Sequence, residues 1–252
     1  MSGSKFRQSY SILKSEPSFL RGAKKLWRVF SEVWLYDLAR PGVKTGYQSK
    51  PDALSADLMW YSPTETSTCR DIIHFSADWF SSYFVYSRKN LVPVFVDFGA
   101  GAAKPNLIAL ESGKFPVSIA FELDDALLRQ AESNFQRVRG KIRKPGVGAT
   151  FKGDVSSEAS IMNLREEILK LVDGKDFLLF AYNKNSYGPE TLSLALDLLD
   201  EFFGTYIYLY QNPVHLSVLQ SKNLLVHRLV LDPKLRKNRD WLISTRMPDS
   251  AL

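Results

Sequence analysis

Val94-Phe95-Val96-Asp97-Phe98-Gly99-Ala100-Gly101 decides how the rest of this chain is read. An apolar run reaches an acid and then breaks into a Gly-x-Gly turn. A short run of this kind, bounded by turn residues, predicts a strand covered on both faces, as in a parallel sheet. Gly99 and Gly101 permit a sharp turn and let a ligand approach the backbone with no Cβ in the way. The helical pattern from Pro105 to Leu110 completes a strand-turn-helix cradle. Asp97 restricts what the cradle holds, because a carboxylate beside the turn repels a pyrophosphate and favours a cationic ligand.

Further acids fall where such a site needs them. Val117-Ser118-Ile119-Ala120-Phe121 reads as a second strand ending on Glu122, 21 positions beyond Gly101. An acid there is placed to accept hydrogen bonds from ribose hydroxyls. Phe151-Lys152-Gly153-Asp154-Val155 reads as a third strand tip. Asp154 either accepts from an adenine amino group or caps the helix that follows. Phe177 to Tyr182 is a fourth strand, delivering Asn183 to the same edge. The ligand that suits these groups carries an ammonium, a sulfonium, a ribose and an adenine, and S-adenosylmethionine (SAM) has all four.

With these residues in place the chain resembles the class I SAM-dependent methyltransferases, over residues 37 to 246. Asp97-Phe98-Gly99-Ala100-Gly101 is similar to their first motif, and Glu122 and Asp154 to the acids after their second and third strands. Tyr61-Ser62-Pro63-Thr64 resembles a segment that helps close over the cofactor in the subgroup containing protein-lysine methyltransferases. Asp37, Gly42 and Thr45 echo a D…G…T pattern of bacterial relatives. Tyr208-Leu209-Tyr210-Gln211-Asn212-Pro213 is similar to their fifth strand and its exit. The resemblance implies an α/β fold with a Rossmann-like, seven-stranded, mostly parallel sheet. Its helices lie on both faces, its strand order is three-two-one-four-five-seven-six, and it ends in an antiparallel hairpin. Two stretches depart from the pattern. Ala102-Ala103-Lys104-Pro105 replaces a glycine-rich continuation, and Lys184-Asn185-Ser186 follows Asn183 where relatives often carry a proline and an aromatic.

The 252 residues suffice for one large α/β core. A single cysteine, Cys69, excludes an internal disulfide framework. No apolar run reaches the roughly 20 residues that span a bilayer, and no secretory signal is visible, so a cytoplasmic protein is expected. The net charge of +6 sits in the first 50 residues, which hold ten Lys/Arg against three Asp/Glu. The expected division is a basic extension over 1–60 and a SAM-binding methyltransferase domain over 61–252.

Within the extension, residues 17–36 carry Phe19, Leu20, Ala23, Leu26, Trp27, Phe30, Val33 and Trp34 at helical spacing, with Lys and Arg opposite. Docking on the core as an extra layer is the favoured reading. Peripheral contact with an anionic membrane and nucleic-acid binding are the others. Helices are expected over 64–87, 124–137, 158–172 and 189–203, and a closing hairpin from 223–231 and 240–246.

Asn183 either orients a methyl acceptor or satisfies local turn groups. Tyr61 and Thr64 either line the methionine end of the cofactor or form a turn with Thr64 as helix cap. Lys234 to Arg239 is either a basic lip that steers an acidic partner or a solvated hairpin tip. His74 is expected to be packed, and the histidines and Cys69 make no metal set by spacing. Methyl transfer from SAM to an unidentified acceptor, whether protein, small molecule or RNA, is the leading functional expectation. A nicotinamide-dependent oxidoreductase is the first alternative, against which Asp97 and Lys104, at the third-glycine position, both count. A non-catalytic SAM-binding module is the second.

Overall fold

The protein is described by a computed structural model. It covers residues 23–24, 26–27, 30–45, 65–84, 90–140, 146–184, 187–211, 215–222, 224–230 and 240–246. Five parallel strands carry the fold: β1 (Val92–Phe98), β2 (Val117–Glu122), β3 (Val147–Lys152), β4 (Phe177–Asn183) and β5 (Tyr206–Gln211). Two further strands, β6 (Leu225–Val230) and β7 (Asp240–Arg246), complete the order β3-β2-β1-β4-β5-β7-β6. β7 runs antiparallel to β5 and β6.

Each parallel strand is followed by a helix because its apolar run ends in a turn or capping signal. Among the described residues from 35 to 222 the helices are α1 (Leu35–Leu38), α2 (Thr66–Phe84), α3 (Lys104–Ser112), α4 (Asp125–Arg139), α5 (Glu158–Leu171), α6 (Pro189–Phe203) and the short α7 (Leu216–Ser221). Asp124 caps α4 by accepting from Ala126 N (2.7 Å) and Leu127 N (2.9 Å). Pro189 opens α6, where its missing N–H has no helical partner to lose.

Side chains alternate along the strands and divide the core in two. On one face Phe95, Ala120, Phe180, Tyr182 and Leu209 pack against Ile72 and Ile73 of α2, Leu107 of α3 and Phe135 of α4. On the other, Val94, Val96, Ile119, Leu179 and Tyr208 pack against Leu164 and Ile168 of α5 and Leu196 of α6. The chain leaves β1 towards β2 and β3, then crosses back to β4 and β5. The order therefore reverses between β1 and β4, and ligands bind beyond the strand ends at such a switch point.

The N-terminal segment docks onto the first face. Phe30–Trp34 forms a π turn leading into α1. A π turn inserts a residue and rotates the face that follows. Trp34 and Tyr36 are consequently buried, while Leu35 and Leu38 face outward. Trp27, expected on the apolar stripe, is 68% exposed. Glu32 binds the start of α2, its carboxylate accepting from Ser67 N (2.8 Å) and its carbonyl from Thr66 Oγ1 (2.6 Å). Asp37 accepts from Thr45 N (2.9 Å to Oδ2) and Thr45 Oγ1 (2.6 Å to Oδ1), both residues being buried. Between them Gly42 takes φ +85°, a conformation that favours glycine. The D…G…T spacing is thus a closed loop held by one buried carboxylate.

His74 is exposed on α2, a departure from the packed position expected of it; the small-residue stripe Cys69, Ile72, Ile73, Ser76 and Ala77 takes the inner face instead. No helix among the described residues is long and apolar enough to cross a membrane.

Candidate active site

Asp97 is the last residue but one of β1, and its Cα lies opposite Ala120 of β2 and Tyr182 of β4. Its side chain is 3% exposed, on the face covered by α2 and α3. The turn that follows is pinned from β2. Gly99 N and Ala100 N both donate to Phe121 O (2.9 and 3.1 Å), and Gly101 N donates to Glu122 Oε2 (2.7 Å). Gly99 (φ +81°) and Gly101 (φ +54°) take the conformations from which they donate at no steric cost. Ala103 does not have that freedom, and its φ of +63° costs about 1–2 kcal/mol. A bond from its own N–H to Ala100 O (2.9 Å) and another from Asn134 Nδ2 to Ala102 O (2.9 Å) offset that strain.

Asn134 is fully buried on α4 and reaches two regions at once. It also accepts from Lys44 N (2.9 Å) and donates to Lys44 O (3.1 Å). The Asp37–Thr45 loop is thereby fastened to the glycine turn. Lys104, the first residue of α3, makes a second fastening. Its side chain is fully buried, its Nζ donates to Glu32 O (2.7 Å), and it lies 5.3 Å from the centre of the Tyr36 ring. Burial pushes its ammonium down to about 8.

The electrostatics of this edge follow from burial. Desolvation, then the Glu122 charge, hold the Asp97 carboxyl well above the usual carboxylate range, and Lys184 pulls it back. Glu122 is raised by burial too, against three backbone donors: Gly101 N, Leu123 N (2.9 Å) and Asp124 N (3.0 Å). Cys69 of α2 lies close enough to Asp97, Lys104 and Lys184 to feel all three charges, and burial pushes its thiol up. Cys69 is therefore a neutral packing group.

The expected site residues separate into three groups. Asp97, Gly99, Gly101 and Glu122 come together at the switch point. Asp154 is exposed at the next strand tip, where its Oδ1 accepts from Ser156 N (2.9 Å) and Ser156 Oγ (2.7 Å). The cap of α5 is Ser157 and not Asp154, because Asp154 is committed to the turn before it. Asn183 is buried at the tip of β4, on the face of Leu179 and Ala181, and is hydrogen-bonded to Tyr208. That face is opposite the one that holds Asp97. Tyr61, Thr64 and Lys234 to Arg239 lie outside the described residues, as does part of 17–36.

Two residues that the sequence reading passed over belong to the edge. Lys184 follows Asn183, so alternation turns it to the Asp97 face. It feels the charges of Glu65, at the start of α2, and of Asp97, and desolvation pushes its ammonium down to about 8. Tyr187, in the β4–α6 connection, lies within electrostatic reach of Glu122, Asp97 and Asp154, and burial pushes its hydroxyl up. The signal for both was their place just beyond the fourth strand, at the switch point. Among the described residues no group of three or more His, Cys, Asp or Glu is arranged to hold a metal ion.

Fold and edge together describe a Rossmann-like α/β protein with acids at the tips of β1 and β2 beside the switch point. No family model and no curated protein matches the sequence. Among solved structures the chain is similar to TrmK of M. capricolum in complex with S-adenosylhomocysteine (SAH). That match has 18% identity over 66% of this chain and 67% of the other, with a TM-score of 0.38. It is also similar to precorrin-6y C5,15-methyltransferase of Geobacter metallireducens, with 14% identity over 77% and 93% and a TM-score of 0.43. A human methyltransferase 10 domain containing protein matches with 12% identity over 76% and 87% and a TM-score of 0.46.

Proposed function

We propose that the protein is a class I SAM-dependent methyltransferase. One observation carries the reading: a buried carboxylate, Asp97, stands at the tip of the strand at the switch point, and the glycine turn beside it is braced by a second acid, Glu122. Ionised carboxylates at that depth are costly. A ligand bearing an ammonium and a sulfonium lowers the cost, whereas a pyrophosphate raises it. The residues therefore fit SAM and argue against a dinucleotide.

Bound SAM would supply a methyl group already activated by its positive sulfur. Asp97 would hold the ammonium, directly or through water. Gly99 and Gly101 would let the backbone lie against the amino-acid end. The Glu122 carboxylate accepts three N–H bonds, and a carboxylate offers about four acceptor sites, so it keeps capacity for a ribose hydroxyl. Asp154 would meet the adenine amino group with the oxygen that Ser156 does not use. Tyr61 and Thr64 would line the methionine end. Transfer then needs alignment and exclusion of water more than acid–base power. We place the acceptor above the tips of β4 and β5, where Asn183 and Tyr208 are joined. An acceptor amine would have to lose a proton first, which a desolvated site favours. A protein side chain is the first acceptor class to test, with small molecules and RNA as the competing classes.

Calorimetry of the purified protein with SAM tests this, with NADH in parallel. Micromolar SAM binding is expected, weakened at least ~10-fold by Asp97→Ala and by Glu122→Ala, as loss of a charge-assisted contact implies. A folded protein that binds no SAM overturns the reading. Tight binding without transfer to protein, small-molecule or RNA acceptors would make it a non-catalytic SAM-binding module.

A further inference from the structure

Resting on the SAM reading, the geometry points to Lys184 as the partner of the cofactor's α-carboxylate, so that Asp97 and Lys184 together recognise a zwitterionic amino-acid end.

The argument begins from the ligand's own chemistry. An α-amino acid carries its carboxylate one carbon from its ammonium, so a site that takes the ammonium on Asp97 also receives the carboxylate nearby. Asp97, Glu122 and Glu65 are all acids that bear on this edge. They would repel that carboxylate unless a cation stood among them. Two buried lysines are candidates. Lys104 is fully enclosed and already donates to Glu32 O at 2.7 Å beneath the Tyr36 ring, so it belongs to the N-terminal fastening. Lys184 is placed differently. It is partly exposed, it follows the tip of β4 at the switch point, and alternation from Tyr182 turns it to the Asp97 face. It is also the cation that opposes the upward shift of Asp97.

Lys184 follows the tip of β4 and feels the charges of two carboxylates, Glu65 just before α2 and Asp97 on β1. Ligand binding exchanges partners. Asp97 passes from the lysine ammonium to the ligand ammonium, and Lys184 passes to the ligand carboxylate. Each of the two groups then still faces an opposite charge, which spares it the cost of lying buried and unpaired.

The test uses two ligands that differ only by the carboxylate: SAH and S-adenosyl-3-thiopropylamine, its decarboxylated counterpart. Calorimetry on the full chain should show wild type preferring SAH by ~10-fold or more, the scale of one charge-assisted contact. Lys184→Met should erase the preference by weakening SAH while leaving the decarboxylated ligand within about twofold, and Lys184→Arg should restore it. Circular dichroism and thermal melts of each variant confirm folding. Equal wild-type affinities for the two ligands overturn the assignment and need no variant. So does an equal loss for both ligands in Lys184→Met. Failure of folded wild type to bind either ligand overturns the SAM reading and this assignment with it. SAH binding without discrimination removes Lys184 alone.

Discussion

On one face of the sheet, Leu164 and Ile168 of α5 and Leu196 of α6 close over Val94, Val96, Ile119 and Leu179. Asn183 is the buried polar residue at that face's ligand edge, and it is joined to Tyr208. The opposite face buries Asp37, Thr45, Asp97, Lys104, Asn106 and Asn134 among its apolar side chains. Asn106 donates to Ser118 Oγ (3.1 Å) and Ile119 O (2.8 Å), and Asn134 joins two loops. The first face gains stability from apolar area. The second gives up part of that gain for polar groups that fix where a turn and two loops sit. Buried polar groups are costly unless satisfied, so their concentration on one side marks where position matters more than stability.

Cavity formation on the apolar face should give the largest effect that leaves the site alone. Leu164→Ala is expected to destabilise the fold by about 3 kcal/mol, the middle of the range for buried leucines. SAM affinity of the folded fraction should stay within about twofold, since Leu164 lies on the face opposite Asp97. Urea unfolding and calorimetry read the two quantities. A loss of affinity without a loss of stability would break the division between the faces.

Asp97→Asn should show the converse. Its carboxyl is held well above the usual carboxylate range, so the folded state holds a proton that the unfolded state has released. Stability therefore falls as pH rises through that window, and above it the ionised group is a cost. Removing the charge should hold or raise the melting temperature while SAM affinity drops ~100-fold, about 2.7 kcal/mol. A fall in melting temperature would make Asp97 a structural residue.

Asp37→Ala leaves a buried Thr45 N–H and hydroxyl without their acceptor. A cost of about 2 kcal/mol is expected. Because Asn134 ties the same loop to the glycine turn, SAM affinity should weaken as well, by a smaller factor than for Asp97. Stability loss with unchanged affinity would show the strap to be independent of the turn.

Lys104→Met gives the smallest effect, visible in pH dependence. The folded ammonium titrates at about 8, where an ordinary lysine titrates at 10.5. Between those values the unfolded state binds the proton that the folded state has lost, so stability rises with pH across the window. Below about 8 the full cost is present. The groups facing it include Cys69, Asp37, Glu32 and Lys184. Lys184 shifts the same way, and the Cys69 thiol, held up, works against both above 9.0. Subtracting variant melts from wild-type melts at pH 8 to 10.5 isolates Lys104. An unchanged slope would place its titration elsewhere.

Strand and helix positions were legible in the chain because local signals coincide with tertiary demand. Phe177 to Tyr182 was expected as a strand and the strand closes on Asn183, and Pro189–Phe203 forms a helix with the expected ends. Asp97 and Glu122 were legible for a similar reason, since an acid after an apolar run can only lie at a strand tip. The π turn at Phe30–Trp34 was not legible, because a helical stripe assumes a constant period and one inserted residue rotates the face that follows it. Lys184 was read only as a break in a pattern.

What the amino-acid order determined by itself is periodicity: which segments are strands, which are helices, and which acids end them. It could do so because hydrophobic spacing and turn chemistry act over a few residues. Only the tertiary structure decided which face each polar group enters. Asn183 and Lys184 are neighbours in the chain yet fall to opposite faces, one joined to Tyr208 and the other bearing on Asp97. Whether a lysine at a strand tip meets water or carboxylates depends on the helix packed over it. Here that helix is α2, which brings Glu65 and Cys69 over the tip from more than a hundred residues away in the chain.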